Sequence, residues 1–554
     1  MRNKFFVVFT AFFAFIWSPV RAQTYEWIRS AGSSVVAAGN CIAADAHGNI
    51  YVAGTYVGKT HFGGTELSAN GRDIFIVKYD PQGKVVWAKS VGGFGDDFGN
   101  ALAVDKDGNC ILAGSFVGKI AFGPDTLISH GMHDMFVAKF DSKGTSIWAR
   151  SAGGNYSDHA TTLALDKNGN IYIGGFFKDT MWFSPDDLIT GKRVTNFDMF
   201  IAKYNGKGAL KWAKEISGSS YYAPEGIAIA ARPKGDLYVT GHYQGEAHFE
   251  SKTLTNNGTF GMFLAHYNDD GELMWVRSAS KDGSLAMGKC VALDKDGNIY
   301  VAGTFSSSVV FDTITATSKN IGGTDIFLAK YTPDEQIIWL RTSSGFGAKT
   351  PIGLAVDGEG NAYLAGVFRD TAIFGKEKLT NIGSEGAYLL KYSAAGAPLW
   401  AKQGGKHGTS TAQALCLDKS GNLYATGKFT DTAEFGKTHI IALPNTQDMF
   451  TIKLSSHIIA QERKTADSAA DFQFLSCDVN EKSAIATFSL PRAAFVTLGL
   501  YDEVGNIVES FVEAQHDAGT YEEKLDLKSI PAGDYYCRLQ AGMDKATKKL
   551  MIKK

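Results

Sequence analysis

Residues 101–114 read Ala-Leu-Ala-Val-Asp-Lys-Asp-Gly-Asn-Cys-Ile-Leu-Ala-Gly, two short β-prone runs on either side of a Gly-Asn turn. That is the pattern of a tight β-hairpin. Further on, Phe136-Val-Ala-Lys-Phe140 and Ser146-Ile-Trp-Ala-Arg150 flank Asp141-Ser-Lys-Gly144 and read as a second hairpin. The stretch therefore encodes four strands in about 62 residues. No helical periodicity competes with this reading.

The same phrases recur along the chain. Trp27, Trp87, Trp148, Trp212, Trp275, Trp339 and Trp400 are spaced by 60, 61, 64, 63, 64 and 61 residues. Each has a basic residue two positions on, Arg29 and Lys89 being the first two. Asp-x-x-Gly-Asn starts at Asp45, Asp105, Asp166, Asp294, Asp357 and Asp418; the fourth unit has Arg232-Pro-Lys-Gly-Asp236 instead. An aromatic phrase ending in Lys-Tyr stands at 75–79, 200–204, 327–331 and 388–392, with variants at 136–140, 263–267 and 450–454. Repeats of four strands bury both faces of each sheet when packed radially. A solenoid coil is usually shorter, and four strands cannot close a sandwich core alone. The expected fold is all-β: a seven-bladed β-propeller over residues 23–454. The last repeat lacks its Trp strand, so Tyr25 to Arg29 is expected to close the ring and remove an exposed edge. The Trp, Arg and Lys of every unit read as packing, the basic stems lying along apolar surface. The Asp-Lys-Asp-Gly-Asn runs lack the later ligands of a calcium loop and read as hairpin turns.

Composition narrows the function classes. The 554 residues are 44% hydrophobic and 20% charged, which excludes a disordered chain. A net charge of -2 gives no overall attraction to nucleic acid, and none is expected as a partner. Arg2 and Lys4 precede a 13-residue apolar run, Phe5 to Trp17, and Val20-Arg-Ala22 follows. This is the layout of a signal peptide, 1–22, cleaved between Ala22 and Gln23. No transmembrane segment is expected in the mature chain.

Three phrases together, Trp-Ala-Lys, Asp-x-x-Gly-Asn-x-Tyr and Asp-x-Phe-x-x-Lys-Tyr, resemble the SBBP class of β-propeller repeat over about residues 25–454. The resemblance implies fold and extracellular location and carries no general catalytic set. The fourth unit departs most, with Arg232, Gly261 and His266 at the usual Asp, Asp and Lys positions.

After Leu454 the character changes. Residues 455–471 read as a polar linker, and strands without the Trp phrase resume over 472–554. Ala484 to Leu490, Val496 to Tyr501 and Tyr521 to Leu527 alternate as half-buried strands of a small Ig-like β-sandwich. Leu490-Pro491, Leu500-Tyr-Asp502 with Gly505, Ala518-Gly519, Pro531-Ala-Gly and Lys548-Lys-Leu550 resemble a type IX secretion C-terminal sorting domain of the A type. The resemblance implies an outer-membrane secretion machinery as partner, and a protein secreted or attached to the outer cell surface.

Function on the ring is expected where the repeats differ, at the connections around the central channel. The candidate ligand face is Asp96, Asp97, Tyr156, Asp158, His159, Tyr221, Tyr222 and Glu225, aromatics with acids suited to a glycan or protein ligand. The reading adopted is an exported binding or interaction module. The alternative is a polysaccharide-active enzyme using Asp97 with Asp158 or Glu225 as an acid pair. No nucleophile elbow, phosphate loop or metal motif is present, so no catalytic residue, metal or cofactor is assigned. Cys41, Cys290 and Cys416 fall on expected innermost strands and Cys110 on the adjacent one, as buried thiols. Cys477 and Cys537 are the two cysteines a disulfide in the tail would join. Asp370-Thr-Ala372, Asp431-Thr-Ala433 and Asp467-Ser-Ala469 match an Asp-Ser/Thr-small pattern of bacterial O-glycosylation.

Overall fold

The computed structural model describes residues 24–191, 197–218, 227–279, 284–318, 320, 323–405, 408–436, 438–455, 473–480, 483–490, 494–502, 507–517, 519–541 and 544–552. Among these the regular elements are strands, with no helix. The chain is all-β. Contacts divide it into one unit up to Ile458 and a second from Ile459.

The first unit contains seven groups of four antiparallel strands, the fourth and fifth joined into one sheet by a parallel pairing of Phe260 with Leu285. Sheet 1 is Val36–Ala44, Ile50–Phe62, Thr65–Tyr79 and Val85–Val91; sheet 2 is Phe98–Val104, Cys110–Phe122, Asp125–Phe140 and Ser146–Ala152. Sheets 3 to 6 begin at His159–Leu165, Ala228–Ala231, Leu285–Leu293 and Lys349–Val356. Sheet 7 is Ser410–Leu417, Leu423–Phe429 and Asp448–Leu454, and its outer strand is Tyr25–Ala31 from the chain's beginning. The pairing runs from Tyr25 opposite Leu454 to Ala31 opposite Met449. Each innermost strand touches that of the next sheet, and Ser410–Leu417 touches Val36–Ala44, so the series returns to its start.

The repeated phrases hold each sheet and join it to the next. In the first turn Asp45 Oδ1 accepts from the His47 and Asn49 backbone N–H groups, and Asn49 Nδ2 donates to Oδ2. The lysine of the Lys-Tyr phrase pairs with this aspartate: Lys78 with Asp45, Lys139 with Asp105, Lys330 with Asp294 and Lys391 with Asp357. In the divergent fourth sheet His266 stands 3.8 Å from Asp236. The turn aspartates are thus spent on backbone and lysine, as hairpin turns require. Trp87 Nε1 donates to Ser142 O of the next sheet at 3.1 Å, and Tyr51 Oη to Gly108 O at 2.9 Å. Arg29, Arg150 and Arg341 lie over Trp27, Trp148 and Trp339 at 5.4–5.8 Å. Each such cation–π contact adds about 0.5–1 kcal/mol at an exposed site.

The second and third strands of each sheet continue into a smaller hairpin, which the sequence reading did not contain. The corner into it is a left-handed residue in all seven sheets: Gly58, Gly118, Asp179, Gly245, Ser307, Asp370 and Asp431. The hairpin then lays an aromatic ring on the core, for example Phe62 on Phe75 and Phe435 on Phe450, centroids 4.9 and 4.8 Å apart. Its edge bridges to the end of the preceding sheet's outer strand, as at Ser33 with Thr60 and Ser344 with Ile373. The addition lengthens the repeat and occupies edges that would otherwise recruit other chains. Asp370 and Asp431 are therefore corner residues, and Ala372 and Ala433 are fully buried.

The second unit has two sheets, Gln473–Asn480, Ser483–Leu490 and Gly519–Asp526 in one, and Ile507–His516, Ala494–Tyr501, Gly533–Ala541 and Asp544–Ile552 in the other. Phe488, Val496, Leu498, Leu500, Leu525 and Leu539 belong to one apolar core fed by both sheets. Burying such side chains stabilises by about 1.5–3 kcal/mol each.

Candidate functional site

Among the described residues the connections into the first strand and between the second and third strands leave on one face of the ring. On that face each third strand begins beside the next sheet's first strand. Asp97 N donates to Arg72 O at 2.8 Å, Asp158 N to His133 O at 2.7 Å and Lys349 N to Thr324 O at 3.1 Å. The junctions between sheets are thereby fixed in register.

The channel enclosed by the innermost strands holds a cavity of about 650 Å³. Its lining has an origin the sequence phrases do not disclose. Among the described residues six innermost strands carry a β-bulge, between Gly39 and Cys41, Gly99 and Ala101, Ala160 and Thr162, Gly288 and Cys290, Pro351 and Gly353, and Ala412 and Ala414. The inserted residues, Asn40, Asn100, Thr161, Lys289, Ile352 and Gln413, all line the cavity. A bulge re-aims one side chain at the cost of a local break in the ladder. The flanks are small and alike from sheet to sheet; the inserted residue is an amide, hydroxyl, amine or alkyl group. Asn40 Nδ2 reaches Gly99 O at 3.1 Å and Asn100 Nδ2 reaches Ala160 O at 3.0 Å, so neighbouring strands are laced across the channel wall.

The sequence-derived face is only partly assembled here. Asp97 is fully buried, and its Oδ2 accepts from Gly93 N at 2.8 Å. Burial, reinforced by the neighbouring Asp73 carboxylate, pushes its carboxyl up to about 7. Asp158 is likewise buried and accepts from Gly154 N at 2.7 Å; burial pushes it up to about 8. Neither aspartate is in the cavity lining. Asp96 is exposed beside Arg72, 4.0 Å away. His159 does line the cavity; its Nδ1 lies 2.7 Å from Ser115 Oγ, and burial brings it down to about 4. Tyr156 sits under Lys178 Nζ, 5.0 Å from the ring centre. Tyr221, Tyr222 and Glu225 lie outside the described residues, as do Ala22 and Gln23.

A run of rings not brought together by the sequence reading follows the mouth across sheets 2 and 3. His133 lies 5.8 Å from Phe98 and 5.1 Å from His159. His159 in turn meets Phe176 at 4.8 Å, and Phe176 meets Phe197 edge-on at 5.4 Å. A cation stands at each end: Arg72 over Phe98 at 5.5 Å, and Lys178 over Phe197 at 5.8 Å. Burial lowers the His133 pKa as well. These residues come from three repeats at positions outside the recurring phrases, so only the fold brings them together.

Cys41 and Cys290 line the cavity as thiols that burial pushes up to about 12, so they are inert at neutral pH. Cys110 and Cys416 are also free thiols on the expected strands. Cys537 is buried in the tail core, on the opposite sheet from Cys477, whose side chain lies outside the described residues. Among the described residues no three His, Cys, Asp or Glu side chains converge as a metal site.

With the two units in view, comparison with known proteins separates them. Residues 481–553 match the secretion system C-terminal sorting domain family. The protein is exported by the type IX route. It is delivered to the cell surface or beyond, and its tail is what engages the secretion machinery. Among the described residues no helix is long and apolar enough to cross a membrane.

The remaining similarities are distant. An uncharacterized WD repeat-containing protein of Acanthamoeba polyphaga mimivirus is 24% identical over 73% of this chain and 36% of its own length. The regulatory protein FlaEY of Caulobacter vibrioides is 26% identical over 66% of this chain and 39% of its own. The chain thus spans between a third and two-fifths of these relatives. A crystal structure of a puromycin hydrolase superposes with a TM-score of 0.40 at 11% identity, covering 82% of this chain and 58% of the other. None of these transfers an activity.

Proposed function

We propose that residues 23–454 form a seven-bladed β-propeller of the SBBP type and that 472–554 is an Ig-like sorting domain. A 455–471 linker joins them, behind a signal peptide cleaved between Ala22 and Gln23. The propeller acts as a binding module presented at the cell surface or in the medium, with its ligand seated at the channel mouth. One observation carries the reading: six innermost strands each insert one residue by a bulge into one shared cavity, and the six are of five different types. A scaffold alone has no use for such varied chemistry at one level of a repeat, whereas a ligand pocket does. The hydrolase reading receives no support from the site, because no carboxylate lines the cavity among the described residues.

The test is a screen of the exported protein against saccharide and protein arrays beside its Gln413→Trp variant, which fills the cavity. Ligands bound by the native protein are expected to be lost in the variant at unchanged melting temperature. A ligand retained by the variant binds elsewhere and overturns the seat at the channel. Release of reducing sugar from any polysaccharide would restore the enzyme reading. A chain ending at Ser468 is expected to fold yet remain in the periplasm; normal export of that chain would refute the tail's role.

A further inference from the structure

We infer that a pocket between the turns of sheets 2 and 3, on the face away from the channel mouth, binds a hydroxyaryl group, the ring and hydroxyl of a phenol. The site is separate from the channel cavity and does not rest on the binding-module reading.

The pocket exists because one repeat lacks a part that the others have. Six repeats place a tyrosine two residues beyond the Asp-x-x-Gly turn and its Asn or Asp: Tyr51, Tyr172, Tyr238, Tyr300, Tyr363 and Tyr424. Sheet 2 has Ile111 there. A Lys or Arg lies over each of the six rings, 4.6–5.7 Å from its centre. Each ring also meets a tryptophan of the repeat, with centroids 5.9–6.3 Å apart. Tyr51, Tyr172 and Tyr300 donate to the turn carbonyls of the next sheet, Gly108 O, Gly235 O and Gly360 O, at 2.7–2.9 Å.

In sheet 2 those partners stand without the ring. Lys139 has closed to 2.9 Å from Asp105, where Lys78, Lys330 and Lys391, each over a tyrosine, stand 3.4–3.7 Å from their aspartates. Trp27, Trp87, Trp212 and Trp339 donate their Nε1 to a carbonyl, but Trp148 Nε1 is buried with no hydrogen-bond partner. The carbonyl at the matching position belongs to Gly206, which lines the pocket. Gly169 is the turn glycine that would receive the missing hydroxyl. A methyl group built on it meets nothing within 4 Å, whereas on Gly108, Gly235 and Gly360 it meets a tyrosine Oη at 3.9, 3.1 and 3.4 Å. Ile111 is buried in the core and does not line the pocket. What remains is a space of about 420 Å³ bordered by Asp105, Lys139, Asp166, Asn168, Gly169 and Gly206.

The other repeats show what fits that space. A phenol ring entering it lies against Lys139 as Tyr51 lies against Lys78, and its hydroxyl donates to Gly169 O as Tyr51 donates to Gly108 O. The Lys139–Asp105 pair is no obstacle, since Lys78 pairs with Asp45 and carries a ring as well. Charge in the lining balances, with Lys106, Lys139 and Lys167 against Asp105, Asp107 and Asp166. A neutral ligand with one aromatic face and one donor is therefore the class selected.

The experiment is calorimetric titration of the exported full-length protein with p-hydroxybenzyl alcohol, benzyl alcohol and N-acetyltyrosinamide. The phenol is expected to bind at one site per chain, at least tenfold more tightly than benzyl alcohol, which lacks the hydroxyl. Ile111→Tyr, which supplies the missing ring from within, should abolish binding and raise the melting temperature. Lys139→Gln should weaken the phenol about fivefold through loss of the cation over its ring. Gln413→Trp should leave it unchanged, because the channel is a different site. Equal binding of the phenol and benzyl alcohol, no binding of any phenol, or phenol binding that survives Ile111→Tyr overturns the site. Should Ile111→Tyr fail to fold, unchanged affinity in Lys139→Gln overturns it instead. A tyrosine-bearing peptide at least tenfold tighter than both phenols identifies a polypeptide as the source of the ring, and equal affinities identify a small phenol; either result supports the ligand class.

Discussion

The junction between sheets 1 and 2 and the junction between sheets 5 and 6 are built from the same parts with opposite charge. Both carry Gly-Phe-Gly after the outer strand, Gly93-Phe94-Gly95 in one and Gly345-Phe346-Gly347 in the other. Both place a buried aspartate on a third strand, Asp73 within Thr65–Tyr79 and Asp325 at the start of Asp325–Tyr331. Four residues after the first glycine, one has Asp97 and the other Lys349. Lys349 is fully buried; its Nζ lies 3.1 Å from Asp325 Oδ1 and donates to Gly345 O and Gly347 O at 3.2 and 3.1 Å. To aim those carbonyls inward Gly345 and Gly347 take φ of 111° and 76°, a left-handed conformation that glycine adopts without Cβ strain. Gly93 and Gly95 do not, and there the loop turns the Gly93 N–H toward Asp97 instead. One tripeptide thus solvates a cation with carbonyls or a carboxyl group with an amide, according to a single side chain. The repeat decides where the junction lies, and that residue decides which way its peptides face.

The comparison breaks most sharply at Lys349. Lys349→Met leaves Asp325 buried without its cation, and a loss of about 3–5 kcal/mol is expected in denaturant unfolding. An unchanged midpoint would mean the pair holds nothing. Protons come next. Asp97 and Asp158 have folded-state pKa values of about 7 and about 8, raised above the unfolded carboxyl range by burial. Below about pH 4 both states hold the proton. Between there and the raised values only the folded state does, so stability declines as pH rises, by at most about 1.4 kcal/mol per pH unit per group. Melting temperatures should therefore fall from pH 5 to pH 8, and Asp97→Asn with Asp158→Asn should flatten the slope. A slope unaltered in the double variant would remove these carboxyls as its source. The smallest effect sharpens the likeness of the two junctions. On the opposite face Tyr51 donates to Gly108 O and Tyr300 to Gly360 O. Tyr51→Phe and Tyr300→Phe should each cost about 1 kcal/mol, equally, because no charge distinguishes the junctions there. Unequal losses would show that charge reaches across the sheet.

What was legible in the sequence is what every repeat had to spell alike. Trp27 and its six counterparts, the Asp-x-x-Gly-Asn turns and the closing strand lie where the phrases place them, because each packs against an identical neighbour. The bulges left no signature, since Asn40, Thr161, Lys289 and Ile352 share no chemistry and a bulge asks only for small flanks. The left-handed corners were hidden for a similar reason: Gly, Asp and Ser all serve, and Asp370 and Asp431 read instead as parts of a modification pattern. Asp97 and Asp158 misled because position near a loop says nothing of whether backbone N–H groups turn toward the side chain. His133 and Phe176 were invisible as partners, since repeats 2 and 3 meet only in the folded ring.

The pairing of Tyr25 with Leu454 also sets a timetable. The two residues are 429 positions apart, so the strand synthesised first is among the last to be used. At about 5–20 residues per second it waits on the order of 20–90 seconds before its partner exists. During that wait Tyr25–Ala31 is an unpaired edge, and charges such as Glu26 and Arg29 are of the kind that disfavour edge-to-edge pairing. Once Leu454 arrives the same two residues change duty. Glu26 pairs with Lys453 at 2.6 Å, and Arg29 Nε donates to Gly83 O at 2.6 Å. The charges that guard the chain while it is open become the clasp that shuts it.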